Sequence, residues 1–347
     1  MTKNNDFTLI NAADLLAGPL ASPVDFVLPG LPAGQAALLA GADGANKTGV
    51  ALGCGLSVAC GIPLLGGLLP APKATGRVLY LWGEDDADEV HRRLDAWMSV
   101  ASARGVDPHK IRNGLSNLEF HPLDGERMSL MRAGRGELDP VVPTHRVAAL
   151  LKAMHGARLT IIDPLIMFHD LQEGKNEHLD PLMRLFISMA RQSGGGSVLI
   201  VHHVGQDAML TRRDDHQSGR AGTALACAAR AVWVIRTMSE IEEDTVNIEA
   251  GRGRVCNGPK MSRGPRQPGK VLRVTDAGVP WLDETATAIL METKKHKGKK
   301  NPEQEKATGN GKPTHKPRRG LANVVGANAD KFDQKTETEG WTHERPF

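Results

Sequence analysis

Gly41-Ala42-Asp43-Gly44-Ala45-Asn46-Lys47-Thr48 follows an apolar run, Gln35 to Ala40, and precedes a small-residue segment from Gly49 to Cys60. Strand, glycine-bearing loop and helix in that order make a cradle for phosphate. Successive backbone N–H groups turn inward, and the helix N-terminus adds positive partial charge. Lys47 is placed to reach the β- and γ-phosphates of a nucleotide, and Thr48 to offer a hydroxyl to Mg2+. The glycine usual before the lysine is replaced by Asn46. A Cβ is costly where the backbone needs positive φ, but Asn tolerates the left-handed region better than most residues. Taken alone, the octet fits a small-residue turn with a chance lysine equally well. Its surroundings favour the cradle.

The 347 residues suffice for one large α/β domain or two smaller ones. Cys54, Cys60, Cys227 and Cys256 show no C-x-x-C spacing, which points to buried thiols in a reducing, cytoplasmic setting rather than to disulfides or zinc. Residues 50 to 70 are apolar, but Gly53, Gly55, Gly61, Pro63, Gly66, Gly67 and Pro70 interrupt them, so no membrane span is expected. The net charge is +3, unevenly spread: ten Lys/Arg against two Glu from Lys294 to Arg319. Any simple attraction to nucleic acid is therefore concentrated in the tail.

In chain order, residues 1–30 read as an arm whose Phe26–Pro32 strip packs on the body or on a neighbouring subunit. Arg77–Trp82, Arg158–Asp163 and Ser197–His203 are continuous apolar runs, as expected of strands buried on both faces. Asn117–Leu123 suggests a further strand, and residues 124–143 a mobile surface loop. Asp88–Val100, Val147–His155 and His178–Arg191 have helical spacing, 205–219 reads as a flexible loop, and Arg220–Ala229 as a short helix. Val232–Arg236, Thr245–Glu249, Lys270–Val274 and Gly278–Leu282 read as strands, the later ones antiparallel. The expectation is an α/β fold: a mostly parallel sheet with helices on both faces and ligands at the strand C-termini. It spans 31–292 and is followed by a disordered basic tail, 293–347.

Strand ends also carry the candidate chemistry. Asp163 closes an apolar run, where a P-loop enzyme keeps its Mg2+-organising carboxylate; an Asp-Pro turn is the plainer alternative. Glu84, at a different strand end, is the candidate general base for an attacking water, while Asp85 or Asp86 caps the next helix. His203 is placed to sense the γ-phosphate, with His202 alternating to the other face; two satisfied core histidines are the alternative. Arg220 and Arg230 are candidates for an arginine supplied to an adjacent subunit, or are solvated surface residues.

Taken in order, GADGANKT, GRVLYLWGEDDADEVHRRL, ARLTIIDPLIMFH, GSVLIVHHVG and GRAGTALACAARAVWVIR resemble the RepA-type ATPases of plasmid replication over roughly residues 20–285. That resemblance implies a RecA-like P-loop fold, ATP and Mg2+, a homo-oligomer in the form of a ring hexamer, and DNA, single-stranded, as partner. It also implies roles. Gly41, Asp43, Gly44, Ala45, Asn46, Lys47, Thr48 and Gly49 match the nucleotide loop, with Lys47 on phosphate and Thr48 and Asp163 at the metal. Glu84 matches the catalytic base, His203 the sensor, Arg230 the trans-acting finger, and Arg93 another arginine close to the site. Asn46, Gln206 and the Arg254–Gly258 run depart from the family pattern. Two alternatives remain: a nucleotide-responsive DNA-binding protein with little hydrolysis, motivated by Asn46 and the tail, and a small-molecule kinase using Arg127, Arg132, Arg135 and Arg146 as a lid.

Overall fold

Strands buried on both faces need apolar side chains at every position, and the runs noted above satisfy that requirement. In the computed structural model, residues 10–134, 141–204 and 222–298 are described. The described residues open with a short helix, α1 (Ala12–Ala17), and a hairpin, β1 (Phe26–Leu28) and β2 (Leu31–Pro32). Val27, Leu28 and Leu31 of this strip are buried in the main core.

The strand β3 (Ala36–Gly41) then leads through the loop to α2 (Lys47–Cys60). There follow β4 (Val78–Trp82), α3 (Ala87–Ala103), α4 (Pro108–Leu115) and β5 (Leu118–Pro122). Next come β6 (Met131–Arg132), β7 (Val142–Pro143), α5 (Arg146–Met154), β8 (Leu159–Asp163) and β9 (His169–Asp170). The remainder is α6 (Asn176–Gln192), β10 (Ser197–His203), α7 (Gly222–Ala228), β11 (Ala231–Thr237), α8 (Glu240–Val246), β12 (Gly253–Met261), β13 (Gln267–Val274), β14 (Pro280–Leu282) and α9 (Glu284–Gly298).

Nine strands form one sheet in the order β14-β13-β12-β11-β3-β10-β8-β4-β5. The six from β11 to β5 are parallel and β13 and β14 antiparallel, as expected; β12, antiparallel to both its neighbours, occupies a stretch where no strand was expected. Period-two alternation divides their side chains between two cores. Ala37, Leu39, Tyr80, Trp82, Ile161 and Val201 face α2, α3 and α4. Leu38, Leu79, Leu81, Ile162 and Ile200 face α5, α6 and α7. A third, smaller core joins Val255 and Val271 of the antiparallel strands to Val246, Ala286 and Leu290. Among the described residues no helix is long and apolar enough to cross a membrane.

Three expectations change. Thr245–Glu249 is not a strand. A capping box, in which Ser239 and Glu242 exchange side-chain and backbone hydrogen bonds, starts α8, and Asn247 at φ 55° ends it. The supposed loop 124–143 contains β6 and β7, which join β9 in a three-stranded sheet with Leu130 and Met131 buried. The last helix continues to Gly298, past the expected start of the tail at 293, and residues 299–347 lie outside those described.

Candidate active site

Four neighbouring strands end along one edge of the sheet, and each delivers a polar group there. In sheet order, β3 enters the loop 41–48, β10 ends at His203, β8 ends at Asp163, and β4 passes through Gly83 to Glu84. Register keeps them level: His203 pairs with Gly41, and Trp82 with Asp163. Polar groups collect at these ends because the strand interiors are covered on both faces, where an unpaired polar group is costly.

Asn46 has φ 68° and ψ 37°, the left-handed conformation expected of it, and Gly44 has φ 72°. Ala45 N–H donates to the Ala42 carbonyl at 3.2 Å, closing the loop beneath Asp43 and Gly44. Lys47 begins α2 and folds back, its Nζ donating to the same Ala42 carbonyl at 2.7 Å. Burial pushes its pKa down, and the charges of Asp43, Asp163 and Glu84 oppose that shift. The ammonium is thus held inside the turn, facing carboxylates.

Asp163 is buried and accepts hydrogen bonds from the Tyr80 hydroxyl, at 2.6 Å, and from the Thr48 hydroxyl. Burial still pushes its pKa up to about 6, against the pull of those two bonds and of Lys47, with Glu84 adding repulsion. Lys47 thus offsets only part of the cost of burying that carboxylate. Among the described residues no group of three or more His, Cys, Asp and Glu side chains is arranged to hold a metal by itself. A cation resting on Thr48 and Asp163 would draw its other ligands from phosphate oxygens and water, the habit of Mg2+ in nucleotide sites. The two residues fit that ion.

His203 links the loop to the next carboxylate. Its Nδ1 contacts the Asp43 carboxylate and lies 3.4 Å from Lys47 Nζ, while its Nε2 is 3.8 Å from Glu84 Oε1. The His203 contact holds Asp43 below the usual carboxylate range. The Glu84 side chain is 54% exposed, unlike the buried Asp163, and Asp43 on the loop is exposed as well. His202 faces the other way, as alternation requires; it is buried, 4.0 Å from Glu173, and burial pushes its pKa down to about 4.

The remaining expected residues are dispersed. Asp86 caps α3 by accepting from Glu89 N–H. Arg93 pairs with Glu89 at 2.8 Å and Asp85 at 3.1 Å and lies over the Trp82 ring at 5.4 Å, bracing α3 beside Glu84 rather than touching the loop. Arg230 is at the opposite edge, where β11 begins; its Nε donates to Gln35 at 3.4 Å, in a cleft of about 290 Å3 shared with Asp25, Ser262 and Arg263. One strand length, roughly 17–20 Å, separates that edge from the loop. Gln206, Arg220 and the 205–219 loop lie outside the described residues.

One site residue was not singled out from sequence, and another was noted only as part of a departure from the family pattern. Tyr80, the chain's sole tyrosine, holds Asp163; its signal was a hydroxyl inside a fully buried strand, which needs a partner. Arg254, noted above at the start of the run that departs from the family pattern, donates through Nη2 to the Gly44 carbonyl at 3.1 Å, a contact that nothing local to β12 announces.

Among solved structures, the chain is similar to the RadB recombinase, at 15% identity and a TM-score of 0.44, over 71% of this chain and 90% of that one. It is also similar to a second solved protein, an ATPase domain, at 14% identity and a TM-score of 0.47, over 71% of this chain and 84% of that one. A family model described as an AAA domain matches residues 7–209, more than half of the chain. With the loop, the carboxylates and the parallel strand order in place, this protein belongs to that AAA domain family of P-loop ATPases.

Proposed function

We propose that the protein is an oligomeric, Mg2+-dependent ATPase that moves on or unwinds DNA, as the RepA-type plasmid-replication helicases it resembles do. The observation that carries this reading is the convergence of Lys47, His203, Asp163 and Glu84 at four adjacent strand ends. In this reading Lys47 and the inward N–H groups of 41–49 bind the β- and γ-phosphates. Thr48 and Asp163 hold the metal, which when bound neutralises phosphate charge. Glu84, exposed and not committed to the metal, accepts a proton from the attacking water. His203, between Asp43 and Glu84, donates to the terminal phosphate and reports its presence to both sides.

Arg230 stands too far from its own loop to serve it, so it is assigned to the loop of an adjacent subunit, as an arginine finger supplied in trans. That assignment makes the active unit an oligomer, and a six-membered ring is the form proposed. DNA contact is assigned to the basic tail and the 205–219 segment.

Steady-state ATP hydrolysis with and without single-stranded DNA, alongside mass measurement of the assembly, tests the reading. Mg2+-dependent hydrolysis stimulated by DNA in a ring-sized species is expected. A monomer that binds ATP without turnover would sink it in favour of a nucleotide-responsive DNA-binding protein.

A further inference from the structure

The loop residue that departs from the phosphate-binding pattern is also one whose side chain reaches out of the loop. Asn46 Nδ2 donates to the Gly278 carbonyl at 2.9 Å, across 232 positions of sequence. Gly278, at φ 77°, lies in the turn joining β13 to β14. An asparagine at a helix start ordinarily caps the first turn, but this side chain makes no cap bond to α2. Its Oδ1 instead lies against Gly49. A Cβ added at Gly49 would sit 1.9 Å from that oxygen and 3.0 Å from Pro280 Cδ. Asn46, Gly49, Gly278 and Pro280 therefore pack as one unit, with the amide clasped between α2 and the β13–β14 turn.

A second side chain from the same antiparallel strands reaches the loop. Arg254 bonds the Gly44 carbonyl, and its Nε is buried without a hydrogen-bond partner. Both left-handed residues of the cradle, Gly44 and Asn46, are thus held from outside it.

We propose that Asn46 is a positioning residue that hangs the phosphate cradle on the β13–β14 turn, so that nucleotide affinity depends on a contact outside the loop. This rests on the reading of 41–48 as a nucleotide cradle. Glycine in the same place would leave the backbone free to sample other conformations, whereas the amide tie removes that freedom and transmits the position of the turn. The tie points at Gly278, not at Thr48, Asp163 or Glu84, so it alters binding of ground and transition states alike. Affinity should therefore move by more than kcat does.

The test uses the full chain and a fluorescent ATP analogue with Mg2+, titrated against wild type, Asn46→Gly, Asn46→Asp, Gly49→Ala and Asn46→Gly/Gly49→Ala, with hydrolysis and thermal midpoints measured in parallel. Losing this tie, whose acceptor is exposed, is expected to weaken binding by up to about tenfold in Asn46→Gly, a larger change than any in kcat. Asn46→Asp keeps the size and the left-handed tolerance but has no N–H for Gly278 and adds a negative charge beside the phosphates, so it should lose more affinity than Asn46→Gly. Gly49→Ala should weaken binding on its own, yet add less than about twofold once Asn46 is glycine, because the nearer clash partner is gone and only the 3.0 Å approach to Pro280 remains. A purely structural asparagine would lower the midpoint and leave affinity unmoved. Binding by Asn46→Gly as tight as wild type, or additive effects in the double variant, overturns the tie. If wild type itself fails to bind the analogue, the ATPase reading falls and the tie with it; failure confined to the variants' pattern removes the tie alone.

Discussion

The two ends of the parallel strands hold their charges in opposite ways. Where β4 and β8 begin, Arg77 forks onto Glu119 at 2.6 and 2.9 Å and donates to the Ala153 and His155 carbonyls, while Arg158 grips Asp25. The Ser197 hydroxyl at the start of β10 donates to the Pro32 carbonyl. These polar groups hold elements together. Where the same strands end, Asp163 is buried with its pKa pushed up to about 6, and Lys47 is buried with its pKa pushed down. At one end the charges of Arg77 and Arg158 each meet a carboxylate, whereas at the other burial shifts both Asp163 and Lys47 away from their charged forms. The residue types are alike, so charge disfavoured by burial, rather than the presence of charge, marks the working end.

That contrast breaks most easily at Lys47. Lys47→Ala should lower ATP hydrolysis by about 10^3-fold or more while the protein stays folded, since it removes a buried cation from the working end. Glu84→Gln should bind ATP and hydrolyse it about 10^2–10^4-fold more slowly. Undiminished turnover in both would show that this edge is not the site. Arg230→Ala should lose turnover by about 10^3-fold if, as proposed, that arginine completes a neighbour's site. Mixing it with Lys47→Ala should restore part of the activity, since one variant keeps the loop and the other keeps the finger; a mixture as inactive as its components would mean no sharing between subunits.

A smaller effect sharpens the comparison through pH. For an acid whose folded pKa lies above its unfolded 3.8, the folded state keeps its proton longer. The cost is absent below about pH 4, grows through the interval, and is complete above about pH 6. Asp163→Asn removes it, so at pH 8 the variant should be more stable, by up to about 3 kcal/mol, though inactive. At pH 4 the gain should vanish; an equal gain at both pH values would contradict a strained Asp163, and calorimetry at the two pH values decides it. The smallest effect belongs to the other end. Arg77→Ala removes a partly exposed pair and should cost about 1 kcal/mol of stability with ATP hydrolysis unchanged.

The site was legible in unequal parts. The loop, the strand ahead of it and Asp163 could be read locally, because an apolar run that stops at a polar residue names its own C-terminus. The left-handed Asn46 was legible from residue type alone. Thr245–Glu249 misled because β-branched residues suggested a strand, while the capping box a few residues earlier already committed the backbone to a helix. The 124–143 sheet was missed because two-residue strands have no period to detect.

By itself, the sequence determined the alternation of buried strands and helices, the cradle and the carboxylate that faces it, since each depends on residues within one or two turns of one another. Tertiary structure alone decided that Tyr80 holds Asp163, that Asn46 and Arg254 tie the loop to the antiparallel strands, and that Arg230 stands at the far edge from its own loop. Those contacts join residues 83, 232, 210 and 195 positions apart, and only the order in which strands pair in the sheet brings such distant groups within reach.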